Sequence, residues 1–105
     1  MGTRINSVAV LGAGALGSLY GAWMARAGLD VTLVARESHA REIEAKGLQI
    51  FSPRGSQISV PVRAVSDPSL VGDVDLLLLA SKSFDTHELL ENWPGHPAFA
   101  FSVQN

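Results

Sequence analysis

The chain has no cysteine. That excludes a disulfide framework and zinc sites built on thiolates, and it fits a cytoplasmic protein. Charge is sparse as well: 17% of the residues are charged and the formal net charge is −2 at pH 7. Binding along a phosphate backbone needs a basic face, so nucleic acid is not an expected partner. His39, His87 and His96 have no metal-ligand spacing, and no Gly-x-Ser-x-Gly element surrounds Ser81 or Ser83. Neither a metal centre nor a serine nucleophile is expected. A long unbroken apolar helix is also missing. Ile5 to Ala25 carries no charge, but Gly12, Gly14, Gly17 and Gly21 interrupt it. A signal peptide or membrane span favours continuous helix formers there, so no membrane role is expected. This holds despite the Gly17/Gly21 pair, which has the spacing of membrane helix dimers, and despite the cleavage-like Ala25-Arg26-Ala27. Asn6 stands where a myristoylation signal on Gly2 would require Ser or Thr.

What remains is an ordinary globular composition. The 105 residues, 47% of them apolar, can bury the core of one domain. Arg4 to Leu11 reads as a strand whose run Val8-Ala9-Val10-Leu11 suits a central parallel position covered on both faces. Ala15 to Ala27 reads as a helix closed by Gly28, apolar nearly all round and therefore buried, with Trp23 in the core. Val31 to Ala35 is a second strand, and parallel pairing with the first needs the intervening helix as a crossover. Ser38 is placed to cap a helix running to Lys46, with Gly47 as its stop. Leu48–Phe51 and Gln57–Val60 flank the turn formers Ser52 to Ser56 and read as a β-hairpin at one side of the sheet. Val74 to Ala80, with four consecutive leucines, is a buried strand. Asp85 or Thr86 opens a further helix that carries Trp93 on its apolar face and ends at Pro94-Gly95. Ala98 to Val103 is the last strand. Strands alternating with helices predict an α/β, Rossmann-type, mostly parallel sheet with helices on both faces and an inserted β-hairpin. The chain reads as one domain over residues 1–105, the front part of a longer protein.

Gly12-Ala13-Gly14-Ala15-Leu16-Gly17 follows the first strand and opens the first helix. In a Gly-x-Gly-x-x-Gly turn the first glycine permits the tight turn, the second lets a pyrophosphate approach the backbone, and the third lets helix and strand pack closely. The helix start then offers unpaired N–H groups to the phosphates. A purely structural turn could use the same residues. The second strand ends at Ala35 with Arg36 next, where NAD-binding domains usually carry an acid for the ribose 2′-OH. A guanidinium there can grip a 2′-phosphate with two hydrogen bonds, which favours NADP over NAD. Glu37 is the counter-argument, since it reaches the 2′-OH position if the strand runs one or two residues longer, and a solvated surface side chain is a separate alternative for Arg36. Lys82 follows the leucine-rich strand and Asn105 the last strand, both where ligands meet open α/β sheets. A solvated loop lysine and an incidental asparagine remain the alternatives.

These segments resemble the N-terminal domain of the ketopantoate reductases (2-dehydropantoate 2-reductases). The likeness rests on Val10-Leu11-Gly12-Ala13-Gly14-Ala15-Leu16-Gly17-Ser18, Val34-Ala35-Arg36, Leu77-Leu78-Leu79-Ala80-Ser81-Lys82, Val103-Gln104-Asn105 and the hairpin near residues 48–62. The resemblance implies an oxidoreductase of pantothenate biosynthesis, in which NADPH reduces a small 2-oxo acid to a 2-hydroxy acid. Residues 12–17 would hold the pyrophosphate, Arg36 and Lys82 would face the 2′-phosphate, and Asn105 would contact both nicotinamide and substrate. The family's catalytic lysine and its acidic substrate contact belong to a second, helical domain, so no catalytic residue is expected in these 105 residues. The glycine that usually follows the Gln-Asn pair is also missing. A half without its partner domain would expose an apolar flank, which leaves a homo-oligomer open. Two other readings stay open: a dinucleotide-sensing regulatory module without chemistry, and another NAD(P)-dependent hydroxy-acid dehydrogenase.

Overall fold

The computed structural model describes residues 5–12, 15–51, 53–80 and 99–102. Strand β1 (Ser7–Leu11) lies at the centre of a five-stranded sheet. It pairs in parallel with β2 (Asp30–Val34) on one side, in the register Ser7 to Asp30 through Leu11 to Val34. On the other side it pairs in parallel with β6 (Leu76–Leu79). The edges are β5 (Arg63–Val65), parallel to β2, and β7 (Phe99–Ser102), parallel to β6. The spatial order is therefore β5-β2-β1-β6-β7. The chain works outward from β1 through β2 to β5, then returns to lay β6 on the opposite side of β1. This is the Rossmann-like arrangement, with its reversal of strand order between β1 and β6.

Side chains of β1 alternate between two cores, as the strand period requires. Val8 and Val10 join a cluster with Val31, Leu33, Ala22, Ala40 and Ile43. Ala9 and Leu11 join Val34, Val71, Val74, Leu77 and Leu79 on the other side. All four β1 residues from Val8 to Leu11 are fully buried. Continuous apolar runs in β1 and β6 are thus the signature of strands buried on both faces.

Helix α1 (Ala15–Arg26) supplies the β1–β2 crossover. It ends in paired backbone bonds: Gly28 N–H donates to Ala25 O at 3.1 Å and Leu29 N–H to Met24 O at 3.1 Å. That is the Schellman pattern, and it returns the chain to the start of β2. The Gly17/Gly21 pair is accounted for by close packing within the domain. A Cβ on Gly21 would stand 3.2 Å from Leu33 Cδ2 and 3.6 Å from Leu48 Cδ1.

Four expectations change. α1 is not buried all round: Trp23 is 55% exposed and meets Tyr20 edge-on, ring centroids 6.5 Å apart. The apolar positions of α1 outnumber those that can face the sheet, and Trp23 falls on the outer side. Helix α2 (Glu37–Lys46) starts earlier than read, with Arg36 as its N-cap residue and no side-chain cap, so Ser38 lies inside it. The hairpin of β3 (Leu48–Phe51) and β4 (Gln57–Val60) forms its own two-stranded antiparallel sheet. It joins the core through Leu48 and Val60, and does not extend the main sheet. Finally, β5 is a strand that the sequence pattern does not mark. It is followed by a 3₁₀ turn at Pro68–Leu70, capped by Asp67, whose carboxylate accepts from Ser69 N–H at 2.9 Å. The helix expected after Asp85, and Trp93 with it, lies outside the described residues.

Candidate dinucleotide site

All five strands of the main sheet run in parallel, so their carboxyl ends share one rim. Three backbone bonds set the level of that rim. Gly12 N–H donates to Val34 O at 2.9 Å, Ala80 N–H to Leu11 O at 2.9 Å, and Ala35 N–H to Val65 O at 3.0 Å. Gly12, Ala35 and Ala80 are thus the first residues beyond the paired strands.

Gly12 has φ +101°, a backbone conformation that a side chain disfavours, and there the chain leaves β1 sharply. Gly17, in the first turn of α1, is buried. A Cβ built on it would fall on the carbonyl oxygen of Gly12 and stand 3.0 Å from Ala80 Cβ. The third glycine of the motif therefore does what its position requires: it brings the start of α1 against the ends of β1 and β6, at the reversal of strand order. The first turn of α1 contains no acidic residue, so no carboxylate there opposes an anion at the positive end of the helix. Ala15 and Leu16 are the first two residues of α1. Ala13 and Gly14 lie outside the described residues.

Arg36 follows β2 at the same rim. It is exposed, extended (φ −60°, ψ 149°), and its carbonyl accepts the first α2 bond from Ala40 N–H at 2.8 Å. Gly12 and Arg36 thus follow adjacent parallel strands at one rim of the sheet. The residues present fit a dinucleotide phosphate: a glycine turn, a helix start free of acid, and an unburied arginine next to it. Glu37 is the first residue of α2, and its Oε1 accepts from Arg41 Nη2 at 2.7 Å. Lys82 and Asn105 lie outside the described residues. Among the described residues, no group of three or more His, Cys, Asp or Glu side chains could hold a metal ion, and no helix is long and apolar enough to cross a membrane.

One neighbour of this rim was not anticipated. Val65 and Ser66, at the end of β5, line a cavity of about 470 Å³ with Glu37, Ala40, Arg41 and Leu70. Arg63-Ala64-Val65 is too short a run to display an alternation, so the sequence carries no signal for it. At the opposite end of the strands, Asp75 accepts from Asn6 N–H at 2.8 Å and Ser7 N–H at 3.2 Å. These bonds hold its carboxyl below the usual carboxylate range, the Asn6 contact contributing most.

The sequence profile of the family described as ketopantoate reductase PanE/ApbA matches residues 8–98. The chain belongs to that family. It is 39% identical over 83 residues to the 2-dehydropantoate 2-reductase of Pyrococcus abyssi, covering 79% of this chain and 27% of that protein. The 2-dehydropantoate 2-reductase of Halobacterium salinarum is 38% identical over 80 residues, covering 75% of this chain and 26% of the relative. Among solved structures, a PanE/ApbA family ketopantoate reductase from Ralstonia eutropha superposes with a TM-score of 0.81 at 41% identity. That superposition covers 94% of this chain and 34% of the reductase. The chain therefore spans about a quarter of the length of the curated relatives it matches.

Proposed function

We propose that this chain is the NADP(H)-binding half of an oxidoreductase that reduces the 2-oxo acid 2-dehydropantoate to the 2-hydroxy acid pantoate, a cytoplasmic step of pantothenate biosynthesis. The observation that carries the reading is the placement of Arg36 at the end of β2, at the same rim as the glycine turn that ends β1. The names of the relatives support the substrate, since several are 2-dehydropantoate 2-reductases. NADPH, when bound, supplies the hydride. The chain's own part is to hold it: the backbone of Gly12, Ala13, Gly14, Ala15, Leu16 and Gly17 and the start of α1 bind the pyrophosphate, and Arg36 and Lys82 the 2′-phosphate. Asn105 orients nicotinamide and substrate through an amide that both donates and accepts. The groups that protonate the product oxygen and clamp the substrate belong to a further, helical domain, so these residues alone bind cofactor without turnover.

A second reading has one observation in its favour. The structure of D-mandelate dehydrogenase with NADH and anilino(oxo)acetate superposes with a TM-score of 0.77 at 25% identity, covering 94% of this chain. A hydroxy-acid dehydrogenase using NADH would share the fold and the glycine turn but would have no use for Arg36. Calorimetric titration of the chain with NADPH and with NADH, at one salt concentration, separates the two. Tighter NADPH binding supports the reductase reading. Equal or tighter NADH binding favours the dehydrogenase, and a folded chain that binds neither removes the dinucleotide assignment for these residues.

A further inference from the structure

Glu37 carries a carboxylate one residue beyond Arg36, as the first residue of α2 and past the end of β2 at Val34; an acid near that strand end would select the ribose 2′-OH and repel a 2′-phosphate. In the structure that carboxylate is engaged elsewhere. It accepts from Arg41 Nη2 at 2.7 Å, one turn further into α2. Side chains on a helix lean toward its N-terminus, so the long Arg41 side chain reaches back one turn and holds the carboxylate against its guanidinium. Both side chains border the cavity between α2 and β5, on the flank of the helix that faces the edge strand. The order, acid first and arginine four residues later, is the favoured one on a helix.

We propose that Arg41 is a specificity-determining residue: by holding Glu37 along α2 it keeps the carboxylate off the ribose 2′ position and leaves Arg36 to meet a 2′-phosphate. This rests on the NADP reading above. Arg41 acts through Glu37 and does not itself touch the cofactor, so it is a positioning residue. The pair is well exposed, at 79% for Arg41 and 68% for Glu37, so its hold is modest and weakens with salt.

The test is a double-substitution cycle on the chain, read by the ratio of NADPH to NADH affinity in calorimetry. Arg41→Gln frees Glu37 while keeping a good helix former. The ratio should fall by about twofold at low salt, from weaker NADPH and tighter NADH binding together, and the fall should shrink near 0.5 M salt as screening grows. Glu37→Gln should leave the preference for NADPH in place. In the Glu37→Gln background, Arg41→Gln should then change the ratio little. An equal fall in both backgrounds would mean that Arg41 attracts the phosphate directly, and would overturn the proposal. So would an unchanged ratio in Arg41→Gln, whose fold is checked by circular dichroism. If the parent chain already binds NADPH and NADH equally, the NADP reading fails and takes this proposal with it.

Discussion

Gly17 stands so close to Gly12 that a Cβ on the first would fall on the carbonyl oxygen of the second. The contact ties the start of α1 to the end of β1, and Ala80 Cβ closes the same gap from β6. Gly17→Ala must push α1 off the sheet, because the atom in the way is backbone and cannot rotate aside. The expected cost is that of overpacking, about 1–3 kcal/mol. Urea unfolding should show a lower midpoint with an unchanged slope. An unchanged midpoint would mean that helix and strand are not held at this distance.

Arg36 leaves the sheet beside that turn and has no side-chain cap to make for α2. Arg36→Ala should therefore weaken NADPH while leaving NADH nearly unchanged and the fold intact. Hydrogen bonds to a charged group contribute roughly 1.5–3 kcal/mol each, so the loss should reach tenfold or more. Calorimetry with both nucleotides decides it. An equal loss for the two would place Arg36 on a phosphate they share.

Asp75 makes the opposite end of the sheet sensitive to acid. Its carboxylate accepts from the backbone of Asn6 and Ser7, while its own N–H donates to Ser7 O at 3.1 Å, pinning β1 to the chain entering β6. Its folded pKa is lowered by these bonds, the Asn6 contact first, from the ordinary value of 3.8. The stabilisation is thus complete above that ordinary value and is lost as the pH falls through the lower, folded one. Asp67 acts in the same direction through Ser69. Asp75→Asn should lower the Tm near neutral pH, and parent and variant should converge in acid. A gap that stays constant down to pH 2 would show that the charge of Asp75 contributes nothing.

Much of this architecture was legible because its strongest elements are chemically extreme. Val8 to Leu11 and Leu76 to Leu79 are continuous apolar runs, as suits strands covered on both faces, and the glycines after Leu11 mark the turn into α1. The hairpin announced itself through two short β-rich runs around Pro53 and Gly55. β5 did not, because three residues at a sheet edge give no periodicity and its pairing to β2 is set by the distant crossover. Arg36 was visible as a residue type at a strand end. The engagement of Glu37 by Arg41 was not, because it depends on where α2 begins, and Ser38 looked like the better cap. Trp23 misled for a related reason: a helix rich in small apolar residues does not reveal in sequence which of its sides meets the sheet.

Trp23 and Leu77 offer the sharpest contrast in what burial contributes. Both are large apolar residues, but Trp23 is 55% exposed while Leu77, on β6 opposite Ala9 of β1, is fully buried. Trp23→Ala removes an edge contact with Tyr20 and a partly wetted ring, so it should cost about 1 kcal/mol. Leu77→Ala opens a cavity among Ala9, Leu11 and Leu79 and should cost about 2–5 kcal/mol. For a domain of this size that is a large share of the total stability. Urea unfolding of the two variants in parallel tests the ranking. A Trp23 variant as unstable as the Leu77 variant would place the indole in a core and overturn the assignment of its side of α1 to the surface.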